Sequence, residues 1–365
     1  MNEPGTEPVE EPMADPFGVY VHVPFCTTRC DYCAFATWTD RPHVMGDYLD
    51  ALRTEIRREA DLGMAPASSV FVGGGTPTLV PAEGLAAVLR AIPLAAGAEV
   101  TVECNPDDVS VALLETYADA GVNRVSIGVQ SMVPHVLAAL GRSHDPANVE
   151  RAVAAVRTVG LPTFNLDVIY GGAGETWADW RTTLTRILEL EPPHVSAYAL
   201  TVEAGTPLAD DPARHPDDDV QADEYELADD LLPAAGLANY EVSNWARPGH
   251  ECRHNLLYWR QHDYRGFGSA AHSHRAGRRW WNLRTPERYI AAVRDGRSTE
   301  AAGELLDAES RRIEGLQLSL RTRAGVPVTA LDGDELPGVV ERDGDRWVLT
   351  RRGRLMANDV SVRLR

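Results

Sequence analysis

Six short apolar runs, each followed by a segment with helical spacing, constrain the fold of this chain more than any other feature. The runs are Gly18–Val23, Ser69–Gly73, Glu99–Cys104, Arg124–Gly128, Thr163–Tyr170 and His194–Leu200. Between them lie Gly46–Leu62, Ala82–Ile92, Val109–Ala120, Val133–Leu140 with Pro146–Val159, and Thr176–Leu190. Several of these carry apolar residues at i, i+3 and i+4. Strand-then-helix alternation reads as an α/β chain whose parallel sheet is joined by right-handed crossovers. Six units form either a doubly wound sheet or an incomplete β/α barrel, and the pattern alone leaves both open. In either fold, ligands bind at the C-terminal ends of the strands. The chemically informative residues fall there: Cys26, Gly73–Pro77, Glu103, Gln130 and Asp167.

The run from Tyr20 to Cys33 sets Cys26, Cys30 and Cys33 at C-x3-C-x2-C spacing directly after the first strand. Three thiolates hold three irons of a [4Fe-4S] cube and leave the fourth iron open to a non-protein ligand. A structural zinc site wants four ligands. His22 is the only local candidate for the fourth, and on an alternating strand it points to one face of the sheet. Gly73-Gly74-Gly75-Thr76-Pro77 follows the second strand, where glycine lets backbone approach a ligand and offers unhindered N–H groups. The chain has neither G-x-G-x-x-G nor a P-loop lysine here, which excludes a nucleoside triphosphate site.

Glu103 ends the third strand. Its carboxylate suits a cofactor ammonium or ribose hydroxyls, with a salt bridge at the rim as the plainer reading. Cys104, one residue on, reads as a buried small hydrophobe. Gln130 ends the fourth strand with an amide that both donates and accepts. Asp167 lies within an apolar strand, where an unpaired carboxylate is costly, so it must have a partner. Tyr32 offers an aromatic surface for stacking or hydrogen bonding.

Together with the glycine run, C-x3-C-x2-C after Tyr-Val-His-Val-Pro-Phe resembles the radical S-adenosylmethionine (SAM) superfamily. More narrowly it resembles the coproporphyrinogen III oxidase-like branch, which includes the heme chaperones. The resemblance runs from residue 17 to the C-terminus. It implies an incomplete (β/α)6 radical SAM barrel with a C-terminal α+β, winged-helix-like domain. It implies a cluster on Cys26, Cys30 and Cys33, with SAM chelating the open iron through its amino and carboxylate groups. Gly74, Gly75 and Thr76 would lie against the methionine amino group, and Arg142 against the cofactor carboxylate. Glu103, Gln130 and Asp167 would line the rest of the SAM site, with Tyr20 and Tyr32 beside the cluster; core packing is a rival role for Tyr20. In this family an electron from the reduced cluster cleaves the sulfonium to a 5′-deoxyadenosyl radical, shielded inside the barrel.

His254-Asn255-Leu256-Leu257-Tyr258-Trp259 resembles the H-N-x-x-Y-W signature of the heme chaperones. It implies His254 as an axial heme ligand, against packing at a domain junction. Cys252 reads as a second iron ligand or as inert packing, and His272 as a residue by the SAM site or a packing residue. Phe35 stands where the oxidase has an additional cysteine, and the oxidase's N-terminal extension is missing ahead of Cys26. Both favour a heme chaperone delivering heme to acceptor proteins. The alternative is an oxygen-independent coproporphyrinogen III oxidase that removes two propionate carboxylates. A radical SAM methyltransferase lacks support from any further cysteine signature. No residue is assigned as catalytic, and whether the chain turns over a substrate stays open.

The organisation expected is a disordered tail over residues 1–16, a barrel domain over 17–250 and a C-terminal domain over 251–365. The tail is acidic and Pro-rich with no apolar core, unlike a signal peptide. Asp210–Asp219 reads as a surface loop, followed by helices at Val220–Ala235, Pro286–Gly296 and Ala308–Leu320. Asp334–Leu349 reads as two short strands about a glycine turn, with Thr350–Gly353 completing a wing that packs over the barrel. The 365 residues suffice for a sizeable core. A net charge of −19 argues against nucleic acid as a partner. Five cysteines, three of them clustered, make no disulfide framework and suit a reducing compartment, so a cytoplasmic location is expected. No apolar run is long enough for a membrane span. Peripheral membrane contact, a homodimer and an electron donor such as flavodoxin or ferredoxin complete the partners admitted.

Overall fold

The computed structural model describes residues 16–365, and the tail expected over residues 1–16 lies outside them apart from Pro16. Six strands, β1 (Gly18–Val23), β2 (Ala67–Gly74), β3 (Leu94–Cys104), β4 (Arg124–Gln130), β5 (Thr163–Tyr170) and β6 (His194–Ala199), lie side by side in chain order. Every neighbouring pair among them is parallel. A doubly wound sheet reverses its winding at a switch point. This order has none, so the alternation resolves to an open β/α barrel.

The helices α1 (Met45–Asp61), α2 (Ala82–Leu89), α3 (Val111–Asp119), α4 (Pro134–Ala139), α5 (Pro146–Val159) and α6 (Trp177–Glu189) connect the strands. Local chemistry sets their ends. Asp145 caps α5 by accepting from the Ala147 N–H, and Gly160 closes it at φ +75°. Thr176 and Asp179 form a reciprocal capping box at the start of α6. Leu49, Leu52 and Ile56 place one face of α1 in the core.

The strands alternate more strictly than their apolar look suggests. Val19, Val21 and Val23, Val70 and Val72, Val125 and Ile127, and Leu166 and Val168 belong to the core shared with the helices. The intervening residues Tyr20, Ser126, Asn165, Asp167, Ser196 and Tyr198 line a chamber of about 190 Å³ inside the barrel. The side-chain period of two thus gives the barrel an apolar outside and a polar inside.

Beyond β6 comes helix α7 (Asp218–Ala234), then β7 (Ala238–Glu241) and β8 (Asn244–Ala246), with β8 antiparallel to β6. Helix α8 (Arg253–Trp259) leads to β9 (Tyr264–Phe267), which pairs parallel with β1 on the opposite edge. Strands β10 (His272–Arg275), β11 (Arg278–Asn282) and β12 (Glu300–Leu305) continue that edge antiparallel, with helix α9 (Pro286–Arg294) before β12. The twelve-stranded sheet therefore runs through the expected boundary at residue 250. Residues 237–274, dense in His, Trp, Tyr and Gly, carry no strand signal in the sequence. The strands found there are three or four residues long and rich in His, Trp and Gly, too short for periodicity to register.

A second core forms around Leu320, Val326, Leu331, Val339 and Val360, with Trp347 against it. It joins helix α10 (Ala308–Leu320), strands β13 (Val326–Pro327), β14 (Val340–Asp343) and β15 (Arg346–Leu349), and helices α11 (Arg351–Leu355) and α12 (Ala357–Ser361). The three antiparallel strands, in order β13-β15-β14, with their helices are compatible with a winged-helix-like module. Two carboxylates fasten it to the barrel: Glu314 on α10 accepts from Arg279 of β11 and from Gln261, and Asp229 on α7 receives the other end of the module. Buried Asp229 on α7 accepts from Arg351 Nε at 2.7 Å, from Arg354, and from Trp245 Nε1 at 3.0 Å. Replacing Asp229→Ala strands the largely buried Arg354 and should destabilise the protein by about 3 kcal/mol, read as an earlier transition in denaturant unfolding. Asp229→Asn, which keeps an acceptor, should lose less.

Candidate functional site

The loop that leaves β1 is held in place before any ligand arrives. Cys26 N–H donates to Trp38 O at 3.1 Å, Trp38 N–H to Pro24 O at 2.8 Å, and Cys33 N–H to Cys30 O at 3.2 Å. Phe25 is fully buried beneath it. His22 binds Ala36 O through Nε2 and the Tyr20 hydroxyl through Nδ1, both at 3.0 Å. With both ring nitrogens engaged, His22 is not placed to be a fourth zinc ligand. Among the described residues, no three His, Cys, Asp or Glu side chains converge on a single ion. Cys26, Cys30 and Cys33 are instead half-buried around one end of a cavity of about 690 Å³. A loop carrying three thiols and no converging fourth ligand suits a cluster larger than one ion. Thr76 Oγ1 lies 3.7 Å from Cys26 Sγ, and Arg142 Nη1 lies 3.6 Å from Cys30 Sγ. Burial pushes the Cys26 and Cys33 thiols up, a desolvation that iron coordination would offset.

The glycine run works differently from the expectation that its N–H groups face a ligand. Gly75 N–H donates to Val23 O at 2.8 Å, Thr76 N–H to Phe25 O at 2.7 Å, and Gly74 N–H to Glu103 Oε2 at 3.1 Å. Those donors are spent on the cysteine loop and on a carboxylate. What the run retains for a ligand is carbonyl oxygen and the Thr76 hydroxyl, a polarity that suits an ammonium group. Gly75 is required by contact: a Cβ there would lie 2.6 Å from the backbone oxygen of Phe25 and 2.8 Å from that of Val23.

Two half-buried carboxylates, Glu103 and Asp167, face the cavity. Burial first, then repulsion from Asp167, pushes Glu103 up to about 8, with the Gly74 N–H pulling the other way. Asp167 is also raised by burial, but it is already partnered inside the protein. Ser126 Oγ donates to Oδ2 at 2.6 Å and Asn165 Nδ2 to Oδ1 at 2.7 Å. Asn165 is in turn fixed by His194 Nδ1 at 2.6 Å, and His194 by the Tyr240 hydroxyl at 2.8 Å. The partner that Asp167 needs is thus a polar network. Sequence reasoning missed Ser126, Asn165, His194, Ser196 and Tyr198, although period-two polar positions in β4–β6 carried the signal.

Gln130 lines the same cavity from a left-handed backbone position, φ +60°, where β4 shifts register against β5. A non-glycine residue held there is strained backbone at the cavity rim. Arg142 also lines it, with Nη2 donating to Gly128 O at 3.2 Å. Tyr32 forms a wall of the cavity and packs against the cluster of Val136, Leu140 and Ile169. Tyr20 does not reach the cavity. It lines the inner chamber, which shares Glu103, Ser126, Asp167 and Tyr198 with the cavity above.

His254 departs from its expected role. It is 1% exposed, its Nδ1 meets Ser69 Oγ at 3.0 Å, and its Nε2 meets the Tyr258 hydroxyl at 2.8 Å. Its ring stacks on Phe71, and burial lowers it to about 3. Neither nitrogen is open to iron, and the adjoining chamber is smaller than the roughly 300 Å³ at which small-molecule pockets begin. The reason is burial: α8 presses the His-Asn face onto the start of β2. Cys252 is buried against Glu99 at 3.7 Å, and Cys104 is buried as expected. His272 is exposed and stacked on Trp281.

The sequence profile of the radical SAM superfamily matches residues 20–187. The chain is 43% identical to the heme chaperone HemW of Mycobacterium tuberculosis, covering 98% of this chain and 96% of that protein. It is 35% identical to the heme chaperone HemW of Escherichia coli, covering 94% and 97%. Among solved structures, the coproporphyrinogen III oxidase of Escherichia coli superimposes with a TM-score of 0.83 at 23% identity, over 95% of this chain and 89% of the other. At that identity the structural likeness speaks for the fold.

The elevated Glu103 makes stability depend on pH. Between the ordinary carboxylate value of 4.5 and about 8, the folded protein holds a proton that the unfolded chain releases. Stability of the cofactor-free protein should therefore fall as pH rises through that window. Melting temperatures measured across it should fall less steeply in Glu103→Gln than in wild type; parallel curves would remove Glu103 as the cause.

Proposed function

Because the chain belongs to the radical SAM superfamily and, within it, to the heme chaperone HemW family, we propose that it binds a [4Fe-4S] cluster, SAM and heme and passes heme to acceptor proteins. The observation that carries the cofactor part is the meeting of three thiols, a half-buried carboxylate and an arginine on one cavity. Cys26, Cys30 and Cys33 would hold the cluster. Glu103, together with the carbonyl oxygens of Gly74 and Gly75, offers negative polarity for the SAM ammonium. Arg142 offers the opposite charge for its carboxylate. Gln130 remains for the ribose, beside the Asp167 that the barrel network already holds, and Tyr32 for the adenine. When bound, the cluster and SAM supply one-electron cleavage of a sulfonium. The protein's own part is to orient the cofactor and exclude water from the space beneath it.

Heme is cargo in this reading. Phe35, two residues beyond Cys33, is 67% exposed on the cavity rim. Its position offers no fourth thiol, which supports delivery over porphyrinogen oxidation. Among the described residues, no helix is long and apolar enough to cross a membrane. We place the chain in the cytoplasm, served by a flavodoxin- or ferredoxin-like electron donor, with a homodimer compatible with the reading.

Anaerobically reconstituted protein should carry about four irons per chain, and the triple variant Cys26→Ala, Cys30→Ala, Cys33→Ala should carry none. The same preparation should bind heme with a shifted Soret band and leave coproporphyrinogen III unconverted. SAM-dependent decarboxylation of coproporphyrinogen III would make the oxidase the better reading.

A further inference from the structure

We propose that Glu175 and Glu224 form a binding site for a divalent cation that takes oxygen ligands, tying the turn after β5 to α7 behind the wall of the SAM cavity. Glu175 lies in that turn, one residue before the Thr176 cap of α6, and Glu224 stands on α7. Neither lines the 690 Å³ cavity, so the site is separate from the one described above. The elements that carry them are fixed to each other. Trp180 Nε1 of α6 donates to Glu224 O at 2.8 Å. Gln221 Nε2 of α7 donates to Leu200 O at 2.9 Å, which holds α7 over the end of β6.

What marks the pair is the state of its oxygens. Glu224 is 1% exposed, and neither of its carboxyl oxygens has a hydrogen-bond partner among the described residues. Glu175 Oε2 accepts from Gly172 N–H at 3.0 Å, but its Oε1 is buried without a partner. The Gly171 N–H acts on both carboxyls, which sets them beside one amide. The charged neighbours that act on them, Asp179 on Glu175 and Asp223 on Glu224, are acids as well. Burial pushes Glu175 up to about 8 and Glu224 up to about 7, and the Glu224 charge adds to the rise at Glu175. Three buried carboxyl oxygens with nothing to meet them are costly, and a cation bound between the two side chains satisfies all three.

The chemistry of the pair selects the ion. Two carboxylates carry two negative charges, so a divalent ion leaves the buried site neutral where a monovalent ion leaves it charged. The ligands are oxygens alone, a set that suits Mg2+ or Ca2+ over zinc or copper. Two carboxylates, with water in the remaining positions, match the habit of Mg2+; Ca2+ asks for more oxygens from the protein. Glu175 is half-buried, which leaves a way in from solvent. The turn held in this way backs the cavity wall. A Cβ on Gly172 would lie 3.3 Å from Val136, and Val136 shares one apolar cluster with Ile169 and Tyr32. A cation on Glu175 therefore steadies the surface against which Tyr32 packs.

The test is a titration of the full-length reconstituted protein with MgCl2 at constant ionic strength, followed by calorimetry and by melting temperature, with CaCl2 and KCl as comparison arms. Mg2+ should bind and raise the melting temperature, and KCl should do neither. Glu224→Gln keeps the shape of the side chain and should weaken Mg2+ binding at least about tenfold, with iron content unchanged. Glu175→Gln, at the half-buried position, should show the same loss and serves if Glu224→Gln fails to fold. Asp223→Asn removes an exposed charge next to the site and should bind as wild type does. Protons compete for the same oxygens, so wild-type affinity should rise at least about tenfold from about pH 6 to about pH 8, and both glutamine variants should flatten that rise. Tighter binding of Ca2+ than of Mg2+, lost in the same two variants, also upholds a divalent site. If wild type and both glutamine variants respond alike to Mg2+ and to Ca2+, the two carboxyls share a proton instead and the proposal fails.

Discussion

Two backbone hydrogen bonds hold the functional end of this molecule together. Gly75 N–H to Val23 O and Thr76 N–H to Phe25 O tie the turn after β2 to the loop after β1. The approach is so close that a Cβ on Gly75 would strike Phe25 O. Because β1 and β2 are parallel neighbours, both turns leave the sheet at the same end, and the clip fixes the thiols relative to Glu103. The loop is then ordered by its own backbone, and a bound cofactor need not supply the cost of ordering it. The same constraint explains why the glycine N–H groups do not face a ligand: they are the clip.

The barrel interior answers a different electrostatic problem. Glu103 and Asp167 face one space in a desolvated setting, where unpaired charge is expensive. Asp167 is stabilised by donors from Ser126 and Asn165, and Asn165 passes the order on to His194 and Tyr240. Glu103 accepts from the Gly74 N–H. The two acids therefore differ in what they await: Asp167 is built into the scaffold, while Glu103 is the carboxylate for which a bound cation makes the largest difference. A single strand periodicity produces this contrast, because inward positions of β3, β4, β5 and β6 fall on a common polar wall.

The two ends of the barrel carry different chemistry. Thiols and carboxylates gather beyond the C-terminal ends of the strands, and arginines with Trp280 gather beyond the N-terminal ends. Between them His254 is sealed against Ser69, Phe71 and Tyr258. Its motif positions α8, and through α8 the return of the chain to β9 beside β1. Packing at the junction is therefore the role that the contacts of this histidine display.

The sequence by itself determined the six parallel units, the thiol spacing and the end of the sheet where the cavity lies, because each is written in residues close together along the chain. Strand and helix periods are local, and so are C-x3-C-x2-C and the glycine run. Family resemblance chose the barrel over the doubly wound sheet; in the structure the same choice follows from strand order, a long-range property. Only the tertiary structure decided which polar groups remain available. That Gly75 and Thr76 are spent on Val23 and Phe25, that Asp167 is satisfied by Asn165, and that both nitrogens of His254 are taken depend on residues up to 185 positions apart. Hydrogen-bond satisfaction is a property of contacts, and a one-dimensional pattern of donors and acceptors does not state which of them meet.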